Sequence, residues 1–227
     1  MDIIYFNGLQ FEGVFSSSFN KIDLLKNAPF IDIRDNIYPI EIDYYNNLEE
    51  SIQLIKHSLS YERFDKFYRH RNSKFIFIGT SLGSFFAYYF SKLYSSPALL
   101  INPCYNPSVQ LSKYIGERVG TPNFGFSKFQ ENSLKIFKSF EDSLSSLRHA
   151  NPEFIKIVIN RDDKISPYNS ELEIRRLKIA MPEGKLYQYD KGGYYVSNFN
   201  RILIDIFEPL YKDYKNFSSD SYSNIAI

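Results

Sequence analysis

Tryptophan is absent from this chain of 227 residues, and it holds one cysteine and three histidines. The lone Cys104 excludes an internal disulfide framework and a cysteine metal cluster, and it fits a reducing compartment. No apolar run approaches the roughly 18 residues of a membrane span. The opening Met1-Asp-Ile-Ile-Tyr-Phe6 reaches a turn at Asn7-Gly8 too early for a secretory leader, so a cytoplasmic location is expected. The net charge is only +1, which leaves no basic field for nucleic acid and no acidic solvating tail. No Gly-x-Gly-x-x-Gly follows the first strand, and no histidines or carboxylates are paired at ligand spacing, so neither cofactor nor metal is expected. The aromatic residues that are present, 21 Phe and 19 Tyr, reflect a coding bias rather than a stacking surface for bases.

Hydrophobic residues make up 44% and charged residues 23%, the balance of an ordinary globular protein long enough for one well-packed domain. Apolar runs at 3–6, 30–33, 75–78, 97–101, 154–159 and 185–189 read as strands. Helical stretches alternate with them, near 22–26, 48–59, 82–95, 170–179 and 199–210. This alternation predicts a three-layer α/β fold, a mostly parallel sheet with helices on both faces. Residues 104–151 break the pattern. They contain helical pieces at 109–115 and 127–147 and no strong strand, so a helical lid insertion is expected there. One domain over 1–212 and a polar, frayed tail over 213–227 complete the expectation.

The chemistry centres on Phe75-Ile-Phe-Ile-Gly-Thr-Ser81-Leu-Gly83, a buried strand that runs into Gly-x-Ser-x-Gly and then a helix. That context is the one a nucleophile elbow requires. The turn is so tight that residues two before and two after the serine must lack side-chain bulk. The hydroxyl is then pushed out at the carboxyl edge of the sheet. The N–H of Leu82 faces a developing oxyanion, joined by an N–H from the loop after the first strand, Leu9 with Gln10 as the spare. Plain strand-turn-helix geometry is the bland alternative.

Asp163 follows the strand at 154–159, where a carboxylate would hold an imidazole in one tautomer. It could equally cap the next helix, and Asp162 is the neighbour to confuse it with. The base is the difficulty. His57, His70 and His149 all fall at the amino edge of the sheet, a strand length of roughly 13–20 Å away from the serine. The loop where such folds place the base reads Asp190-Lys-Gly-Gly-Tyr-Tyr195-Val and has no histidine. A tyrosine hydroxyl ordinarily titrates near about 10 and is a poor base at neutral pH. Lys191 would serve only if desolvated. Cys104 reads as a packing residue.

Four stretches together carry a family resemblance: Ile4-Tyr-Phe-Asn-Gly8, Ile78-Gly-Thr-Ser-Leu-Gly83, Pro97-Ala-Leu-Leu-Ile-Asn-Pro103, and Asp163 with its following helix. Over roughly residues 2–212 the chain resembles the small bacterial α/β-hydrolases described as the YqiA/YcfP-like esterase family (UPF0227). The resemblance implies a Ser–Asp–His hydrolase of carboxylic esters with short acyl chains, with Ser81 as nucleophile and Asp163 as acid. The family's histidine falls at Tyr195 (Tyr194 if the loop slips by one), and its first-loop His-Gly is Asn7-Gly8 here. Two readings follow. One is an acyl hydrolase acting on a small ester or thioester through Ser81 without the expected histidine. The other is a hydrolase scaffold that binds a ligand or a protein partner.

Overall fold

The computed structural model describes residues 1–11, 18–44, 47–64, 74–121, 124–147, 151–165, 168, 170–193 and 195–223. Six strands form one parallel sheet in the order β3-β1-β4-β5-β8-β9. They are β1 (Asp2–Phe6), β3 (Asn36–Ile40), β4 (Phe75–Thr80), β5 (Ala98–Ile101), β8 (Ile155–Asn160) and β9 (Lys185–Tyr189). Helices α1 (Ser18–Lys26), α2 (Leu48–Phe64), α3 (Leu82–Tyr94), α6 (Glu171–Ala180), α7 (Phe199–Ile202) and α8 (Glu208–Ser223) cover its two faces. This is the three-layer arrangement of the α/β-hydrolase fold.

Strand periodicity explains the layering. In β4, Phe75 and Phe77 point into one core with Phe85, Phe86 and Phe90 of α3, while Ile76 and Ile78 point into the other with Phe199, Ile202 and Phe207. Side chains on both faces are buried, so the strand reads as a continuous apolar run rather than an alternating one. Every residue of α3 from Leu82 to Lys92 is buried, which makes it the central helix. Phe6 stacks on Phe90 at 5.3 Å, tying β1 to α3 just below the serine.

The structure corrects four sequence expectations. Phe30–Ile33 is a turn after α1 rather than a strand: Phe30 packs on Phe207 and Tyr211, and Ile33 is fully exposed. The second strand is instead β3, at 36–40, where no strand was expected. Its Pro39 is tolerated because β3 lies at the edge of the sheet, paired among the described residues only with β1. The expected helical insertion contains a β-hairpin, β6 (Arg118–Thr121) and β7 (Gly125–Lys128), to which β2 (Gln10–Phe11) adds as a third strand. The helices expected at 109–115 and 127–147 are shorter, namely α4 (Pro107–Gln110) with a following 3-10 turn and α5 (Glu131–Leu144). Finally, the chain beyond 213 does not fray at once. Helix α8 continues to Ser223, and Tyr214 and Phe217 pack edge-on against Phe154. A polar composition concealed this because an amphipathic helix needs only one apolar stripe.

Tyr194, His70 and His149 lie outside the described residues. Among the described residues no helix is long and apolar enough to cross a membrane.

Candidate active site

Ser81 sits between β4 and α3 with φ 53° and ψ −123°, a backbone conformation L-residues avoid. The surrounding glycines show what enforces it. A Cβ on Gly79 would lie 2.3 Å from the Gly83 carbonyl oxygen, and one on Gly83 would lie 2.2 Å from the Phe6 carbonyl oxygen. Both positions are closed by backbone, so only glycine fits. The strained turn is pinned by hydrogen bonds. Ser81 N–H donates to the Ile101 carbonyl at 2.9 Å, and Cys104 N–H donates to the Ser81 carbonyl at 3.0 Å. The buried Ser84 hydroxyl donates to the Gly79 carbonyl at 2.6 Å and accepts from Ile101 N–H at 3.0 Å, joining the ends of β4 and β5.

The loop after β1 lies directly against the serine, because a Cβ on Gly8 would come within 3.0 Å of the Ser81 Cβ. Leu9 follows it and is buried; Leu82 opens α3, so its N–H has no partner within the helix. The Tyr44 hydroxyl donates to the Asn7 carbonyl at 2.5 Å and holds this loop from the α2 side. The Ser81 hydroxyl itself caps nothing and makes no hydrogen bond to a described side chain.

The two neighbouring aspartates do different work. Asp163 is 1% exposed, and its Oδ1 accepts the Ile165 N–H at 2.8 Å, folding its own loop. It does not cap the next helix. Ser170 does that, its hydroxyl accepting from Leu172 N–H at 3.2 Å. Asp162 faces outward and grips the loop after β9, accepting from Gly193 N–H at 2.7 Å and Gly192 N–H at 3.2 Å. The Gly193 N–H, the larger influence, holds the Asp162 carboxyl below its ordinary range.

Three asparagines complete that grip. Asn102 and Asn160 both donate to the Gly193 carbonyl, at 3.0 and 3.2 Å. Asn198 donates to the Asn160 side-chain oxygen at 2.9 Å and to the Lys191 carbonyl at 3.0 Å. Asn102 and Asn160 are buried at the carboxyl ends of β5 and β8, and Asn102 takes a left-handed φ of 45° to reach across. Gly192 takes a φ of +154°, which L side chains rarely adopt, and a Cβ there would also lie 2.4 Å from both the Asn160 and the Asn198 amide oxygens. The loop that carries position 195 is therefore clamped, while Tyr195 itself is 49% exposed. A polar residue closing an apolar strand was the available signal for Asn102 and Asn160. Nothing local distinguished Asp162 from Asp163.

This grip has a pH signature. A carboxylate with a depressed folded pKa adds stability that is present above its unfolded value, about 3.9, and is lost as pH falls through the folded value. Asp162→Ala is therefore expected to flatten the acid limb of the Tm-versus-pH curve below about pH 4 and to speed hydrogen exchange at Gly192 and Gly193. Unchanged exchange at both amides would show that the asparagines hold the loop alone.

The remaining sequence candidates separate cleanly. Burial raises the Cys104 thiol well above its ordinary value, so it packs and does not supply a thiolate. His57 lies beside Leu93 and Tyr94 at the far end of α3, roughly 20 Å of helix from Ser81. No described group of three or more His, Cys, Asp or Glu could hold a metal.

Ser81, the loops after β1 and β5, Asp163 and the described part of the loop after β9 all gather at the carboxyl edge of the parallel sheet, the arrangement of the α/β-hydrolase fold. Residues 42–180 match the Uncharacterised protein family (UPF0227), and the chain belongs to that family. No curated protein matches it in sequence. Solved structures that resemble it include Est1E from Butyrivibrio proteoclasticus, at 11% identity and a TM-score of 0.59, covering 93% of this chain and 87% of that one. Mouse alpha/beta hydrolase domain-containing protein 10 resembles it at 14% identity and 0.56, covering 93% and 90%. The metagenome-derived lipolytic enzymes LipS and LipT give 12% identity and 0.56, covering 93% of each chain. At these identities the likeness establishes the fold.

Proposed function

We propose that the protein is an acyl hydrolase of carboxylic esters or thioesters, with Ser81 as nucleophile and Asp163 as the buried carboxylate of the site. The strained elbow carries this reading, because a φ of 53° at a non-glycine residue, enforced by glycines on both sides, presents the hydroxyl above the sheet. Ser81 Oγ attacks the carbonyl carbon, and the oxyanion forms against the N–H groups of Leu82 and Leu9. The bond to the alcohol or thiol breaks as that group takes a proton. Water then cleaves the acyl-serine to carboxylate and free hydroxyl. Tyr195 stands where a histidine would take and return the proton, so proton transfer falls to solvent and turnover is slow, rising with pH. No described residue supplies a substitute base.

A second reading is favoured by the same position. An exposed tyrosine and an unengaged serine hydroxyl also suit a scaffold that binds an acyl ligand or a protein partner without turning over. A fluorophosphonate probe separates the two. Labelling of the wild type that vanishes in Ser81→Ala is the expected result. An absence of labelling throughout about pH 6–9 would leave only the binding reading.

A further inference from the structure

A cavity of about 790 Å³ opens between α3, α4, α5 and α6, and none of Ser81, Leu9, Leu82, Asp163 or Tyr195 lines it. Its volume is that of a small-molecule site. Its inner wall holds an ion pair, Lys92 Nζ to Glu183 Oε1 at 3.2 Å, with both side chains 7% exposed. The Tyr88 hydroxyl donates to the second Glu183 oxygen, and burial followed by that carboxylate raises the phenol so that it stays protonated. The Lys92 ammonium also lies 5.6 Å from the centroid of the Tyr88 ring.

The polar groups around this cavity are largely partnered with one another. Glu173 accepts from the Tyr105 hydroxyl and from Arg176, each at 2.6 Å. Glu141 accepts from the Ser108 N–H and hydroxyl, each at 2.7 Å. Glu183 likewise accepts from Lys92 and Tyr88. An ammonium has three N–H donors, yet Lys92 makes one hydrogen bond among the described residues. The buried end of the cavity therefore keeps ammonium N–H groups to offer, beside a carboxylate whose two oxygens can still accept, a pairing that suits a neutral head group which both accepts and donates.

The charge balance narrows the class further. Glu183 already neutralises Lys92, so an incoming anion would face Glu183 across the same pair, with Glu141 and Glu173 nearby. An incoming cation would meet the Lys92 ammonium and carboxylates whose donors are already in place. A neutral acceptor suffers neither cost. The rest of the lining includes the Lys138–Asp142 ion pair, which neutralises itself, and the apolar Leu144, Ala180 and Pro182, with the exposed Val109 and Ile179 at the opening.

We propose that this cavity is a second binding site, distinct from Ser81, for an uncharged amphiphile of medium size. Its carbonyl or amide oxygen accepts from the Lys92 ammonium, and its hydrocarbon body lies against the α5 and α6 walls. The site does not depend on catalysis at Ser81.

The test uses the full chain with three probes of equal chain length: octanamide, octanoate and octylamine. Octanamide at about five times its Kd is expected to raise Tm by about 2–4 °C, in the wild type and in Ser81→Ala alike. The other two probes should bind at least about tenfold more weakly, the size of one lost or repelled polar contact. Lys92→Met/Glu183→Leu removes both charges together, and is expected to weaken octanamide about tenfold. Should that variant fail to fold, Val109→Trp at the exposed opening keeps the pair, blocks entry, and is expected to weaken it similarly. No shift with octanamide would overturn the proposal, as would equal binding of all three probes or unchanged binding in a folded variant. A fluorophosphonate result at Ser81 of either kind leaves these outcomes unaffected, so the two readings fail separately.

Discussion

Tyr195→His is expected to raise the hydrolysis of p-nitrophenyl acetate by about a hundredfold or more, the typical contribution of a positioned general base. The expectation rests on the loop rather than on the tyrosine. Asp162, Asn102 and Asn160 hold Gly192 and Gly193 by side-chain hydrogen bonds and Asn198 holds Lys191, so a new imidazole at 195 inherits a fixed loop. The gain should appear as a sigmoid in pH centred near about 6.5, where an ordinary imidazole loses its proton, in place of the steady rise expected of the parent. It should vanish in Tyr195→His/Ser81→Ala. An unchanged rate in a folded variant would mean that position 195 does not face Ser81, and the acyl-hydrolase reading would lose its geometric support.

Gly83→Ala is expected to destabilise the protein strongly by adding a single methyl at the elbow. Its Cβ would stand 2.2 Å from the Phe6 carbonyl oxygen and 2.7 Å from that of Asn7, and both obstacles are backbone. Relief requires β1 and the start of α3 to move apart, through the stacked Phe6 and Phe90 rings. Overpacking that displaces backbone costs about 3 kcal/mol or more, which lowers Tm by about 6–12 °C in a chain of this size. Labelling of Ser81 should be lost with it, since the elbow and the loop after β1 share this contact. A thermal melt and the same fluorophosphonate probe read both effects. A melting temperature within a degree or two of wild type would contradict the close approach.

Legibility in the sequence followed the range of the interaction that decides each feature. The elbow was readable because its requirements are local: an apolar strand, two glycines at fixed offsets from Ser81, and a helix at once. Asp163 was readable as a position, three residues past β8, but not as a role. Only the tertiary structure shows Ser170 taking the helix cap and Asp162 reaching the loop after β9. The displaced second strand has the same origin. Phe30-Ile-Asp-Ile33 has strand-like alternation, but Phe30 is claimed by Phe207 and Tyr211, far away in the chain. Asn36–Ile40 pairs with β1 despite Pro39 because an edge position asks little of it.

The amino-acid sequence by itself determined the layered α/β plan and the place of Ser81 in it, since periodicity and glycine spacing act within a few residues. The tertiary structure alone decided which of two adjacent carboxylates is buried and which clamps a loop, and it alone joined three asparagines from separate elements into one grip. Those outcomes depend on what faces each side chain across the sheet edge, and hydrogen bonds between elements dozens of residues apart leave no periodic trace along the chain.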